Sequence, residues 1–520
     1  MQVVAAIKIV PDDQDIQVAA DRSLDFSKAR PVVSEYDLNA LEAAVQLAAA
    51  TGGSAIAVTA GAASIDDSKT KKNVLARGME ALYLTADDAC ADMDAYATAQ
   101  VLAPMVEDLD GWDVVLVGDG SADLYAKQTG AQLAARLNVP YVAGAIALEE
   151  DGGSLKVRRK TEDEVEVLSV PLPAVVSVLP EAAAPRIPGM KDILAAGKKP
   201  MEAVALAEAP AAALEVVSCK APVQAERAME VYDATDDAAA EMGAAARGFA
   251  DEVVALGIGT DLAGVADKSL KVSVPDDRIV EDAWATVCAI ADAEQPARVL
   301  VEPTTRLSGV AGRLAAHMGA AVITDVLALG PDGATSLYFG GAGERTVAPV
   351  GDVALCTVSR GVFDGAGTSG TDAVEEVAFV DPANPVVRVA AEPLEKSDVN
   401  LAAADVVVGA GRGFAEEDQL GLARDLAAKI GAEMACTRPL AEGSGWMPTE
   451  SYIGVSGQML SPKVYVGIGT SGQMQHMVGV NRAGAIFAVN KDKNAPIFKQ
   501  CDYGLVGDLN TVLPALSAAL

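Results

Sequence analysis

Histidine is almost absent from this 520-residue sequence: His317 and His476 are the only two, which argues against a histidine-rich zinc or iron site. The six cysteines (Cys90, Cys219, Cys288, Cys356, Cys436, Cys501) lie at least 65 residues apart, so no CxxC pair exists for metal or disulfide chemistry. Most of them fall in apolar, strand-like runs. No uninterrupted apolar run reaches about 18 residues, and MQVVAAIKIVPDDQ has no basic stretch followed by an apolar core. The expectation is a soluble protein of the reducing cytoplasm, with no membrane insertion. Positive charge is also short. Lys plus Arg is 40 against 73 for Asp plus Glu, a net −33 that opposes nucleic acid and anionic membranes. Plain surface acidity accounts for this imbalance, and the same field would steer a basic partner.

What is there is ordinary globular material: 51% hydrophobic and 22% charged residues. At roughly 150 residues per domain the length suggests about three domains. Short β-rich runs alternate with helical-period segments, as in VVAAIKIV, NALEAAVQLAAATG, SAIAVTAG, a helical stretch near Lys71–Gly78, then ALYLTAD. That alternation predicts parallel sheets wrapped by helices. Leu133–Gly152 and Leu314–Gly333 match at seven of twenty positions without a gap, each between similarly placed strands, so two related α/β units are expected. The Ala/Pro/acid-rich stretch Met201–Asp237 places a boundary near residue 225. Val380–Asp398, with three prolines, reads as a linker. The expected domains are 1–225, 226–380 and 399–520, with 381–398 joining the last two.

The third domain carries the most informative motif. KVYV is a strand, Gly467-Ile468-Gly469-Thr470-Ser471-Gly472 fits GxGxxG, and Gln473–Val478 can open a helix. Glycines let a backbone approach a pyrophosphate, and free N–H groups at a helix start can bind it. The next strand, AIFAVNKD, ends with Asn490 and Asp492 where a ribose-binding group is expected. A second glycine turn, Gly409–Gly413, adds Arg412, a cation for a phosphate. His476 sits in the first turn after GIGTSG, a poor place for a packing histidine and a good one for facing a ligand. Arg438, Ser456 and His476 are expected to emerge from three loops at one sheet edge. No nucleophile system and no paired carboxylates are readable, so the residues suit holding a cofactor more than attacking a substrate.

GAGRG, CTRP, GVSGQ, GIGTSGQMQHMVG, AVNKDKNAPIF and DYGLVGDL, in that order, resemble the FAD domain of the electron transfer flavoprotein alpha subunit. VAAIKIVPD, SEYDLNALEAAVQL, AVTAG, VGDGSADLYAKQTGAQLAARLNVP and APRIPGMKDILAAGKK resemble its beta subunit. The chain thus looks like a beta–alpha fusion, closest to the branch associated with carnitine metabolism and nitrogen fixation. The resemblance implies two adenine-nucleotide hydrolase-like α/β units plus a Rossmann-like FAD domain. It implies FAD contacts from Arg412, Thr437, Arg438, Ile453, Gly454, Val455, Ser456, Ser471, Gly472, Gln473, Met474, Gln475, His476, Asn490, Asp508 and Leu509. Arg438 would lie against the isoalloxazine, Ser456 would hydrogen-bond N5, and His476 would donate near O2. Cationic and donor groups there favour an anionic one-electron-reduced flavin. Where the family commonly has Thr and Ser, this sequence has Ser456 and Thr437, and both keep a hydroxyl.

In the beta-like half the resemblance implies a second nucleotide near Ala6, Ser34, Ala60, Asp123, Gln128, Thr129 and Gly130, either AMP or a second FAD. This loop departs from the family's acidic AIDDD pattern. Pro185–Lys191 resembles the loop that docks on acyl-CoA dehydrogenases, with Met190 as the apolar anchor. The implied function is electron carriage from an acyl-CoA dehydrogenase-type flavoprotein to a quinone oxidoreductase or ferredoxin-type acceptor, by a monomer of the fused chain. The alternatives are an NADH-oxidising bifurcating flavoprotein with two FADs and a non-redox adenine-nucleotide-binding protein.

Overall fold

The computed structural model describes residues 1–19, 21–221, 242, 246, 252–330, 333–358, 362, 370–393, 401, 404–454 and 457–519. The chain divides into two compact units, one holding Met1–Lys220, Asp237–Phe339 and Glu344–Leu394, the other holding Glu395–Leu520 with Gly340–Gly343.

The first unit is built on a ten-stranded sheet. Its seven parallel strands run, in spatial order, Met201–Ala203, Ala81–Ala86, Ser54–Gly61, Gln2–Ala6, Val114–Gly118, Ala174–Val178 and Tyr141–Asp151. The central strands are near-continuous Val/Ala/Leu runs because both faces are covered: Val3, Val4, Val115, Leu116, Val175 and Val176 are fully buried. The sheet continues antiparallel through Ser154–Lys160, Glu164–Pro171 and Val387–Pro393. Further strands of the unit form two three-stranded parallel sheets and a four-stranded antiparallel sheet. The mixed α/β class read from the alternation is what the chain adopts.

The domain expectations need revision. Val387–Pro393, inside the presumed linker, is a strand paired with Glu164–Pro171, because its prolines flank the β-branched run VRV and do not interrupt it. Leu214–Lys220, placed with the first domain, pairs with Gly343–Pro349 of the second α/β region. Residue 225 itself lies outside the described residues. The two α/β regions form one unit, joined where the repeat-related helices Thr129–Leu137 and Thr305–Met318 meet. A Cβ on Gly312 would stand 2.6 Å from that of Ala131, so the absence of a side chain permits this approach. A buried ion cluster crosses the same seam. Arg159, fully buried, binds Glu166 through Nε (2.5 Å) and Glu281 through both terminal nitrogens. Arg306 reaches Glu164 (2.5 Å) and Glu166 (3.2 Å), and Arg388 lies 3.6 Å from both.

The second unit is a five-stranded parallel sheet in the order Glu433–Cys436, Val406–Ala410, Val464–Ile468, Ala485–Asn490, Tyr503–Val506. Numbered along the unit this is 2-1-3-4-5. The helix Leu420–Ile430 returns from strand 1 to strand 2 and buries Leu420, Ala423, Leu426 and Ala427. Leu509–Ala519 closes the chain.

Candidate functional site

In an open sheet of order 2-1-3-4-5, the connections from strands 1 and 3 leave in opposite directions, and a crevice opens at their carboxyl ends. Both glycine segments lie there: Gly409–Gly413 begins in the last two residues of strand 1 and Gly467–Gly472 in the last two of strand 3. They hold each other. Gly411 N–H donates to Ile468 O (2.9 Å) and Gly413 N–H to Gly469 O (2.9 Å). A Cβ at Gly411 would meet Gly469 O at 2.5 Å, and one at Gly413 would meet Gly469 Cα at 2.5 Å. Part of the glycine requirement is therefore turn against turn.

The implied cofactor residues sit along the same carboxyl edge. Arg412 is exposed on the first turn. Thr437 directly follows strand 2, its N–H on Ala410 O (2.9 Å), and its buried hydroxyl has no hydrogen-bond partner in the protein. Thr470, nearly inaccessible, has a hydroxyl in the same condition. Arg438 follows, its Nε donating to Glu442 (2.5 Å), so that the cation is tethered to its own turn. Ser471, Gln473, Met474 and Gln475 are exposed, and Gly472, buried, has φ +79° with its carbonyl accepting from Gln500 (2.7 Å). Asn490 donates to Thr470 O (2.7 Å) and accepts from Asp492 N–H (2.9 Å). Asp508 accepts from Asn510, and Leu509 opens the last helix, packed into the core. Val455 and Ser456 lie outside the described residues.

Two expectations meet a different geometry. The helix after GIGTSG is a single turn, Met474–Met477, so its dipole contributes little. His476 does not face outward. It is 8% exposed; Nδ1 is 3.1 Å from Ile453 O, and Nε2 is 2.7 Å from the Tyr465 hydroxyl. Burial pushes its pKa down to about 4, so the ring is neutral. The sequence reading missed Tyr465, whose place in the middle of KVYV gives no sign of a polar partner.

These features fit a bound dinucleotide. Two buried threonine hydroxyls without protein partners flank the switch point, and side-chain-free backbone lines it.

The second set of residues lies on the carboxyl edge of the ten-stranded sheet. Ala6 and Ala60 end neighbouring parallel strands. Ser34 caps the helix Glu35–Thr51, and its hydroxyl accepts from Ala122 N–H (3.2 Å). Gln128, Thr129 and Gly130 begin the helix Thr129–Leu137. Asp123 pairs with Lys8 (2.5 Å), which holds its carboxyl below the usual range against the opposing effect of burial. Asp123 Oδ1, Gln128 Oε1 and both amide atoms of Gln132 are buried without hydrogen-bond partners in the protein. Beside them Asp37, desolvated by burial, is pushed up to about 7.

Met190 opens the helix Met190–Ala196 and is 74% exposed, beside exposed Ile187 and Leu194. The loop's base is anchored: Arg186 binds Glu42 through Nε (2.6 Å) and Nη2 (2.9 Å), and Arg186 O accepts from Arg77 (2.7 Å).

A doubly wound unit with paired glycine turns at its switch point defines a dinucleotide-binding protein, here joined to a larger α/β unit. Comparison with known proteins makes that class particular. The electron transfer flavoprotein domain matches residues 24–209 and 229–382, and the electron transfer flavoprotein FAD-binding domain matches 400–481. The chain belongs to the electron transfer flavoprotein family, as a fusion of beta-like and alpha-like halves, and FAD is its cofactor. It is similar to Protein FixB of Escherichia coli O17:K52:H18 (strain UMN026 / ExPEC) and to Protein FixB of Shigella dysenteriae serotype 1 (strain Sd197). Each is 42% identical over 256 residues, 47% of this chain and 81% of the relative. Among the described residues, no helix is long and apolar enough to cross a membrane.

Proposed function

We propose that this chain accepts electrons from an acyl-CoA dehydrogenase-type flavoprotein and delivers them to a quinone oxidoreductase or ferredoxin-type acceptor, working in the cytoplasm as a monomer. The carrying observation is the switch point of the 399–520 domain, where two glycine turns and two unpartnered threonine hydroxyls coincide with the family's FAD-binding region. FAD, when bound, supplies the electron-accepting ring. The protein's part is binding and electrostatics. The turns after strands 1 and 3 let backbone approach the pyrophosphate, with Arg412 beside them, and Asn490 and Asp508 serve the ribose end. Thr437 and Arg438 serve the ring end, where a fixed cation favours added negative charge. Ser456 is assigned to the same end from the family pattern.

An AMP is assigned to the carboxyl edge of the ten-stranded sheet. The unpartnered atoms of Asp123, Gln128 and Gln132 support a polar ligand there, and Gln128-Thr129-Gly130 opens a nine-residue helix suited to a phosphate. The exposed Met190, on a loop fixed by Arg186 and Glu42, is the anchor for the dehydrogenase. The direct test is anaerobic mixing of the FAD-loaded chain with a dehydrogenase reduced by its acyl-CoA substrate. Bleaching of the chain's flavin absorbance supports the assignment; a flavin that stays oxidised beside reduced dehydrogenases contradicts it.

A further inference from the structure

We propose that the helix Ser68–Ala76 is a second limb of the docking face around Met190, and that this face takes a protein surface whose apolar pocket is rimmed by carboxylates. This rests on the reading that Met190 anchors the electron-donating dehydrogenase, and it gives that partner an acidic docking face.

The sequence concentrates positive charge here. Over the whole chain carboxylates outnumber cations 73 to 40, yet residues 68–77 and 185–199 carry eight cations against the single carboxylate of Asp192. Four of the eight are structural. Lys71 pairs with Asp66, and Arg186 with Glu42. Arg77 Nη1 donates to Arg186 O (2.7 Å), and Lys199 Nζ donates to Leu75 O (3.0 Å) and Met79 O (2.6 Å) at the end of the helix Ser68–Ala76. These contacts brace the helix against the Met190 loop, so that the two segments present one surface. The other four, Lys69, Lys72, Lys191 and Lys198, form no ion pair among the described residues. Lys69, Lys191 and Lys198 are exposed. Lys69 and Lys72, three apart, share a helix face. A Cβ on Gly197 would lie 3.8 Å from Lys72 Cε, which puts Lys72 beside the segment that carries Lys198.

The lysines flank an apolar centre in which Ile187 is 94% and Leu194 69% exposed beside Met190. An apolar centre with a charged border is the anatomy of an interface core and its rim. The nearby carboxylates are committed to local donors. Asp67 accepts from the N–H (2.8 Å) and hydroxyl (2.9 Å) of Thr70, and Asp192 from Gly189 N–H (2.9 Å). At physiological ionic strength charge is screened over about 8 Å, so a partner at this face meets these lysines and not the net −33 of the whole chain. An acidic rim is attracted there, whereas the basic partner that the chain's overall charge favours is repelled.

The test is stopped-flow bleaching of the FAD-loaded full chain by an acyl-CoA dehydrogenase reduced with its acyl-CoA substrate, the second-order rate constant being followed from about 50 to about 500 mM salt. The parent should slow roughly tenfold across that range. Lys69→Glu combined with Lys72→Glu should be roughly tenfold slower than the parent at the low end and nearly independent of salt, at unchanged flavin content. Lys156→Glu combined with Arg158→Glu makes the same change in net charge on the strand Ser154–Lys160. Both residues are exposed, and five strands separate theirs from Ala81–Ala86, into which the helix Ser68–Ala76 leads; this variant should match the parent. A parent rate that is flat or rises with salt overturns the proposal, as does a Lys69/Lys72 variant no slower than the Lys156/Arg158 one. Met190→Ala judges the loop separately, since it should slow transfer at every salt concentration with the parent's slope. If it couples as well as the parent while the Lys69/Lys72 variant is slow, the loop reading fails and the charged face stands. A flavin that stays oxidised in every mixture overturns both.

Discussion

Replacing Glu281 by Gln should destabilise the larger unit more than any single surface substitution. Arg159, Glu166 and Glu281 are almost wholly inaccessible, and three guanidinium groups (Arg159, Arg306, Arg388) balance three carboxylates (Glu164, Glu166, Glu281). Glutamine keeps the shape and one acceptor but removes a charge, leaving the buried cluster with an excess cation. Removing one partner of a buried pair costs about 3–5 kcal/mol, and the retained acceptor argues for the lower end, about 3 kcal/mol. At roughly 2 °C per kcal/mol in a unit this large, the thermal midpoint should fall by roughly 6 °C. Differential scanning fluorimetry at low and high salt measures it, and the loss should persist in salt because the pair is shielded from solvent. Arg159→Met combined with Glu281→Met should lose less than Glu281→Met alone, since the double change leaves no unpaired Arg159. A shift under about 2 °C for Glu281→Gln, or a double variant worse than the sum of its singles, would refute the role given to this seam.

Met190→Ala should weaken electron acceptance from the dehydrogenase by about 1–4 kcal/mol of docking energy while flavin content stays constant; loss of flavin, or unchanged coupling, would sink the loop assignment. Arg438→Ala should retain FAD but lower the potential for its first electron, measured by reductive titration, because a cation beside the ring is lost; an unchanged potential rules out that role. Asp282, desolvated by burial and pushed up to about 7 from a reference of 3.8, accepts from Val386 N–H at 2.9 Å. Its folded pKa is raised, so its contribution is fully present below pH 4 and is lost as pH rises to 7, by at most about 4 kcal/mol. Asp282→Asn should therefore raise the thermal midpoint at pH 8 and not at pH 4, and a gain confined to pH 4 would reverse the argument.

Local pattern was legible wherever a local interaction decides the structure. The expected helices EEDQLGLARDLAAKIG and NALEAAVQLAAATG appear as Leu420–Ile430 and Glu35–Thr51, each ended by a left-handed glycine. The strands ADVVVGAG and AIFAVNKD appear as Val406–Ala410 and Ala485–Asn490. Long-range pairing was not legible. Nothing in VDPANPVVRVAAEP announces that its strand completes a sheet begun at Gln2, and Arg159 and Glu281 are 122 residues apart. The burial of His476 had no sequence signal, because its two partners come from a strand position that alternation marks as core and from a carbonyl, which has no residue signature. The unpartnered hydroxyl of Thr470 likewise had no sequence signal beyond its place inside GIGTSG.

The most direct measurement is the nucleotide content of the purified full chain. Acid release followed by chromatography should yield one FAD and one AMP per polypeptide. A chain that stays colourless after incubation with FAD would contradict the account, and two FADs without AMP would overturn the assignment of the second site.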